Sequence, residues 1–136
     1  MSSAFEQAFA ANSEALAEVR GCVREVCQRA GCSAECSEHA VLAINEACMN
    51  IVQHGYAFAA GKNFLLRIRV DDGILVTHLL DNGTAAADQD LRPRELDDLR
   101  PGGLGVRFMR ELMDEVTYLR APDGFTNCLQ LRKRIY

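Results

Sequence analysis

Apolar residues along this chain recur first at a helical spacing and later at alternate positions, and the change of period divides the chain into elements. Leu16, Val19, Val23, Val26 and Cys27 repeat every three to four residues up to Ala30, the stripe of a helix with one buried face. Asn12 or Ser13 provides its N-cap, Glu14 places a carboxylate in the first turn, and Gly31 ends it. Ser33 caps a second helix with Glu35 in its first turn. It is predicted from about Ala34 to Ala57, with Val41, Ile44, Cys48, Ile51 and Val52 on one stripe. Gly55 and Tyr56 close it, and a loop continues to Gly61.

The period then becomes two. Phe64, Leu66, Ile68 and Val70 alternate with Leu65, Arg67, Arg69 and Asp71, as in a strand with one buried face. Asp72-Gly73 is a hairpin signal, and Ile74 to Leu80 supplies the return strand, ending at Asp81-Asn82-Gly83. From Thr84 to Gly105 no period persists beyond a turn's worth around Glu95 to Leu99, which predicts a mobile surface loop. A third helix from Leu104 or Gly105 to Met113 packs through Val106, Met109, Leu112 and Met113. Val116 to Ala121 and Phe125 to Lys133 form a second hairpin across Pro122-Asp123-Gly124. Phe5 to Ala10 reads equally as an edge strand or the start of a helix. The order predicts one α+β domain, a two-layer sandwich with helices on one face of a mostly antiparallel sheet.

Composition narrows the function classes. A chain of 136 residues, 49% hydrophobic, has room for one core and not for two. Its 15 basic against 19 acidic residues give a net charge of −4, which recommends neither nucleic acid nor an anionic membrane as partner. Arg132, Lys133 and Arg134 are bracketed by Leu131 and Ile135, as on the solvated rim of a strand. There is no signal-peptide pattern and no apolar run approaching the ~18 residues of a membrane span, so a cytoplasmic location is expected. In that compartment the six cysteines read as reduced residues, most of them in the core. Cys32, Cys36 and His39 could share a helical face, but no paired C-x-x-C or nearby fourth ligand supports a metal site.

Three clusters carry candidate chemistry. Glu46, Asn50 and His54 are spaced by four and form a polar ridge opposite Ile44, Cys48 and Ile51. Such a ridge is ordinarily the wet side of a helix, but an asparagine in mid-helix competes for backbone bonds and asks for a compensating role. A carboxylate one turn before an amide oxygen suits a hard cation held by oxygen ligands. His54 could serve as base, donor or helix cap. Asp81-Asn82-Gly83 is either a turn or a carboxylate fixed at a rigid strand end, able to accept from a planar ligand's amine with Gly83 leaving room for the ring. Gly102-Gly103-Leu104-Gly105-Val106 opens a helix whose free amides could face an anion. It is neither a Walker A sequence nor a Rossmann fingerprint.

Together these motifs resemble a known family. Asn45-Glu46-Ala47-Cys48-Met49-Asn50-Ile51-Val52-Gln53-His54-Gly55-Tyr56 resembles the N-box helix of the bacterial anti-sigma-factor serine/threonine kinases, Bergerat-fold members of the histidine-kinase-like ATPases. Asp81-Asn82-Gly83 and the run from Gly102 through Met109 resemble the motifs that follow, in the same order and over nearly the whole chain. The resemblance implies ATP and Mg2+ as cofactors, with Asn50 coordinating the Mg2+ and Glu46 as general base toward a seryl hydroxyl. It implies that Asp81 accepts from the adenine amine, that Gly83 accommodates the base, and that Gly103, Leu104 and Gly105 line the phosphates. Thr126 falls near the adenine, His54 at the back of the site, and Arg100, from a lid at 88–101, within reach of the γ-phosphate. It further implies a small antagonist protein as substrate, a sigma factor as a second partner and a homodimer, for which Phe5 to Phe9 and the first helix offer a surface. Ala85 and Ala86 depart from the family, which commonly has a second glycine and a bulky apolar residue there. A nucleotide-gated binding module without chemistry is therefore the alternative. A detached histidine-kinase catalytic domain is a third reading, disfavoured because no upstream helix offers a phosphoacceptor histidine.

Overall fold

A computed structural model describes residues 4–84 and 103–135, with the backbone alone for residues 103–106. Strand β1 (Ala4–Ala10) leads through a 3-10 turn at Ser13–Ala15 into helices α1 (Leu16–Arg29) and α2 (Ala34–Asn50). Strands β2 (Asn63–Asp71) and β3 (Ile74–Asp81) follow, then helix α3 (Gly103–Leu112) and strands β4 (Glu115–Leu119) and β5 (Asn127–Arg134). The five strands form one sheet, in the order β1-β2-β3-β5-β4, and every neighbouring pair is antiparallel.

The alternation seen in sequence is the register of this sheet. Phe9, Phe64 and Asp81 lie side by side on three adjacent strands, as do Leu66, Leu79 and Leu129. This face meets the helices. Val19, Val23 and Cys27 of α1, Val41, Ile44 and Cys48 of α2, and Met109 and Met113 at α3 share one buried cluster with Phe64, Leu66, Ile68, Leu79 and Leu131. Burying a Leu, Ile or Phe side chain stabilises by about 1.5–3 kcal/mol each, so this shared face positions everything else. The ambiguity at Phe5 to Ala10 resolves as a strand, because β2 offers it a complete antiparallel partner from Arg69 back to Asn63.

Local signals account for the element ends. Asn12 Oδ1 accepts from Ala15 N (2.9 Å), so Asn12 rather than Ser13 is the capping side chain, and it caps the 3-10 turn that leads into α1 rather than α1 itself. Ser33 Oγ accepts from Cys36 N (3.0 Å) at the start of α2. Gly31 adopts φ +81°, and the bonds Cys32 N to Cys27 O (3.0 Å) and Gly31 N to Gln28 O (3.1 Å) make the end of α1 a Schellman motif. Lys133 is more than a solvated rim: its Nζ donates to Leu112 O (2.7 Å), capping the last turn of α3. Of the six cysteines, all free, Cys27, Cys48 and Cys128 are buried and Cys22, Cys32 and Cys36 are partly exposed, so the expectation of core thiols holds for half. Among the described residues no His, Cys, Asp and Glu group could hold a metal ion, Cys32, Cys36 and His39 included. No helix among them is long and apolar enough to cross a membrane.

Candidate functional site

Helix α2 ends at Asn50, and the turn that follows it meets the end of β3. Glu46 and Asn50 stand one helical turn apart, both half-buried, on the last two turns of α2. The helix then widens, since Ile51–Gly55 is a π turn in which Tyr56 N donates five residues back to Ile51 O at 2.9 Å. The predicted α-helix to Ala57 therefore stops at Asn50. A π turn shifts which side chains align, so His54 does not simply continue the line of Glu46 and Asn50. Ala57 (φ 49°) and Phe58 (φ 62°) then occupy the left-handed region, a costly conformation for non-glycine residues. Among the described residues, the side chains of Glu46, Asn50 and His54 have no hydrogen-bond or ion-pair partner.

The seam between this turn and β3 is backbone against backbone. Thr84 N donates to Gly55 O at 2.8 Å, and a Cβ built on Gly83 would lie 2.5 Å from both the carbonyl carbon and oxygen of Gly55. Gly83 is thus demanded by close approach. A Cβ on Gly55 would be 3.8 Å from Asp81 Oδ1 and 4.0 Å from Asn50 O, so the end of α2 and the carboxylate of β3 border the same space.

Asp81 is only 6% exposed. Its Oδ1 accepts from Gly83 N (2.8 Å) and from Asn127 Nδ2 (3.0 Å), and the same amide donates to Thr84 O (2.9 Å). Burial raises the Asp81 carboxyl above its ordinary range, while the Asn127 and Gly83 bonds partly oppose the shift. Asn127 is directly opposite Asp81 across the β3–β5 pair. Next to it, Thr126 N donates to Asp81 O (2.9 Å) and Thr126 Oγ1 to Asn82 Oδ1 (3.4 Å). Tyr56 Oη accepts from Asn82 N (2.8 Å) and donates to Asn63 O (2.7 Å), joining the end of the π turn to both strands of the first hairpin.

The structure thus gathers Asn50, Asp81 and Gly83 around the Gly55 seam, and Thr126 joins them through the backbone of Asp81. Gly103, Leu104 and Gly105 form the first turn of α3. Arg100, the lid at 88–101, and Ala85 and Ala86 lie outside the described residues. Tyr56 and Asn127 are parts of the site that sequence reasoning does not assign; in sequence, Tyr56 reads only as a helix end. Polar residues flanking Asp81 and its pairing strand are the available signal, but the pairing itself is non-local.

A five-stranded antiparallel sheet with helices on one face, and a buried carboxylate at a strand end beside a Glu/Asn helix, define an ATPase domain of the Bergerat type. A model of the histidine kinase-like ATPase domain matches residues 9–133, and the chain belongs to that family. Its relatives include the serine/threonine-protein kinase BtrW of Bordetella bronchiseptica, 37% identical over 63% of this chain and 63% of its own length. The serine-protein kinase RsbW of Bacillus subtilis is 32% identical over 78% of this chain and 71% of its own. RsbW of Bacillus pumilus is 32% identical over 89% and 80%. Among solved structures, the RsbU and RsbW domains of Rv1364c from Mycobacterium tuberculosis share the fold, with a TM-score of 0.71 at 20% identity over 98% of this chain and 32% of that one.

Proposed function

We propose that this chain is an ATP- and Mg2+-dependent serine/threonine protein kinase that acts as an anti-sigma regulator by phosphorylating a small antagonist protein. The observation that carries the reading is the Gly55–Gly83 contact, with the C-terminal end of α2 at Asn50 and the fixed Asp81 carboxylate both bordering Gly55, in a chain related to serine-protein kinases. The donor set fits the nucleotide: Asp81 keeps Oδ1 engaged with Gly83 N and Asn127 Nδ2 and offers Oδ2 to an exocyclic amine. The Asn50 amide oxygen is a hard ligand without a partner among the described residues, suited to hold Mg2+. Bound Mg2+-ATP supplies the transferable phosphoryl group and the charge neutralisation that phosphoryl transfer chiefly requires. Glu46, one turn from Asn50, takes the proton of the seryl hydroxyl; placement rather than unusual basicity qualifies it. Gly103, Leu104 and Gly105 offer backbone amides to phosphate oxygens, Arg100 a cation, and His54 and Thr126 shape the walls. The functional unit is a homodimer in a cytoplasmic setting, with a sigma factor as the second partner.

The test is transfer of label from ATP to the cognate antagonist. Glu46→Gln should lower turnover at least a hundredfold while leaving ATP affinity within about threefold, and Asn50→Ala should abolish the Mg2+ dependence of binding in calorimetric titration. Nucleotide binding without any phosphoprotein, in the wild type, overturns the kinase reading in favour of a nucleotide-gated binding module.

A further inference from the structure

Three of the six cysteines meet at the α1–α2 junction, at the opposite end of α2 from the nucleotide cleft. Cys27 is on the last turns of α1, Cys32 follows the Schellman glycine, and Cys36 is in the first turn of α2. In a Schellman motif the residue after the glycine packs against the residue whose carbonyl its amide reaches. Here those two residues are Cys32 and Cys27, so a backbone bond of 3.0 Å holds a pair of thiols where an apolar contact is usual. Cys36 follows Cys32 by four residues across the Ser33 cap, and each perturbs the other's thiol, so Cys32 is the middle member of the three.

Exposure falls along this series. Cys36 lines a surface pocket of about 210 Å³ with Ser33, Glu35, His39, Lys133 and Arg134, and its Sγ is 3.9 Å from Arg134 O. Cys32 is partly exposed, and Cys27 is fully buried. Burial raises all three thiols, Cys32 to about 11, the neighbouring sulfurs act on them in both directions, and Lys133 pulls Cys36 down. The Ser37 hydroxyl is itself buried without a hydrogen-bond partner among the described residues. Nothing in the nucleotide site uses any of these groups.

We infer that Cys36, Cys32 and Cys27 form an oxidisable thiol relay in which a hydroperoxide reacts at Cys36 and an intramolecular disulfide forms at Cys32. The Cys36 thiolate attacks one peroxide oxygen, giving a sulfenic acid and releasing hydroxide (from hydrogen peroxide). The Cys32 thiol displaces the sulfenic oxygen as water, forming the Cys32–Cys36 bond, so two thiols lose two electrons and the peroxide gains them. Cys27 can then attack Cys32 and release the Cys36 thiolate, which Lys133 makes the better leaving group. The end state is a Cys27–Cys32 bridge across the Schellman turn, and Cys36 is free again. The high thiol values make the first step slow at neutral pH and faster as pH rises.

The experiment exposes the full chain to hydrogen peroxide, alkylates remaining thiols and maps peptides after trypsin and a glutamate-directed protease. Cleavage after Arg29 separates Cys27 from Cys32, and cleavage after Glu35 separates Cys32 from Cys36. A Cys32 peptide disulfide-linked to the Cys36 or Cys27 peptide is expected, reversed by dithiothreitol. In Cys32→Ser the link should vanish and a dimedone-trappable sulfenic acid should persist at Cys36, with nucleotide binding unchanged as the check on folding. The inference is overturned if Cys32 stays alkylatable while other cysteines oxidise, or if Cys32→Ser forms an intramolecular disulfide to the same extent. Either result leaves the kinase reading untouched.

Discussion

The two oxygens of Asp81 have different surroundings, and this asymmetry governs what substitution and pH should do. Among the described residues, the two donors to this side chain, Gly83 N and Asn127 Nδ2, both bond Oδ1. Asp81→Asn can retain those bonds through its own Oδ1 but replaces Oδ2 with an amide donor, which would face the adenine amine. The expected outcome is a folded protein with ATP affinity reduced about 10- to 100-fold, the range for losing a hydrogen bond to a charged group, measured by titration calorimetry. The pH dependence follows from the raised carboxyl. Burial makes protonation of Asp81 easier in the folded than in the unfolded chain, so stability from this group is full below the ordinary carboxylate value and is lost as pH rises through the raised one. Nucleotide needs the ionised form. Affinity should therefore begin to fall, on acidification, at a pH above the ordinary carboxyl value of 3.8. A wild-type profile that matches Asp81→Asn would remove Asp81 from recognition. At this scale the sequence is informative where a residue type is costly in itself: Asn50 within a helical run, where α2 passes into the π turn, and Asp81 at a strand end stand out unaided. Tyr56 and Asn127 do not, because their roles consist of bonds to Asn82 and Asp81, 26 and 46 residues away.

Between elements, the decisive join is Gly83 against Gly55. A methyl group on Gly83 would meet backbone atoms that no side-chain rotation can clear. Gly83→Ala should force the strand end from the π turn at a cost of about 1–3 kcal/mol, in the range of overpacked sites, seen as a lower urea midpoint with unchanged slope. It should also weaken ATP binding. An unchanged midpoint would mean that the seam is loose. Capping and periodicity made most elements legible: Asn12, Gly31 and Ser33 act where the sequence places them, and the Met109 and Met113 side of α3 is buried. Two features were hidden for physical reasons. β1 is too short to declare its period until β2 pairs with it. The π turn is a rearrangement of backbone bonds within a helical composition, with no residue type reserved for it.

For the molecule as a whole, binding at the cleft should appear as added stability. A ligand at a hundred times its dissociation constant adds about 2.7 kcal/mol to the folded state, which for a domain of this size amounts to a rise of roughly 10 °C in thermal midpoint. Calorimetry with and without Mg2+-ATP should show that rise in the wild type and a much smaller one in Asp81→Asn. Equal shifts in the two would place the nucleotide elsewhere. The two-layer architecture was readable from the order of periods along the chain. The strand order was not, since β5 lies between β3 and β4 and only the register of distant segments reveals it.

That inserted position of β5 has a consequence for how the protein comes into being on the ribosome. Asp81 is made early, yet its partner Asn127 belongs to a strand whose last residue is Arg134. Until that strand has left the exit tunnel, β3 has one open edge and the carboxylate lacks the amide that orients it. A nascent chain can close β2 on β3 and dock its first two helices, but the proposed nucleotide site should be assembled only when residues 127–134 slot into place. Nucleotide capture therefore reports completion of the sheet: a stalled chain exposing residues up to Gly124 should not be retained on immobilised ATP, whereas release of the remaining strand should confer retention at once.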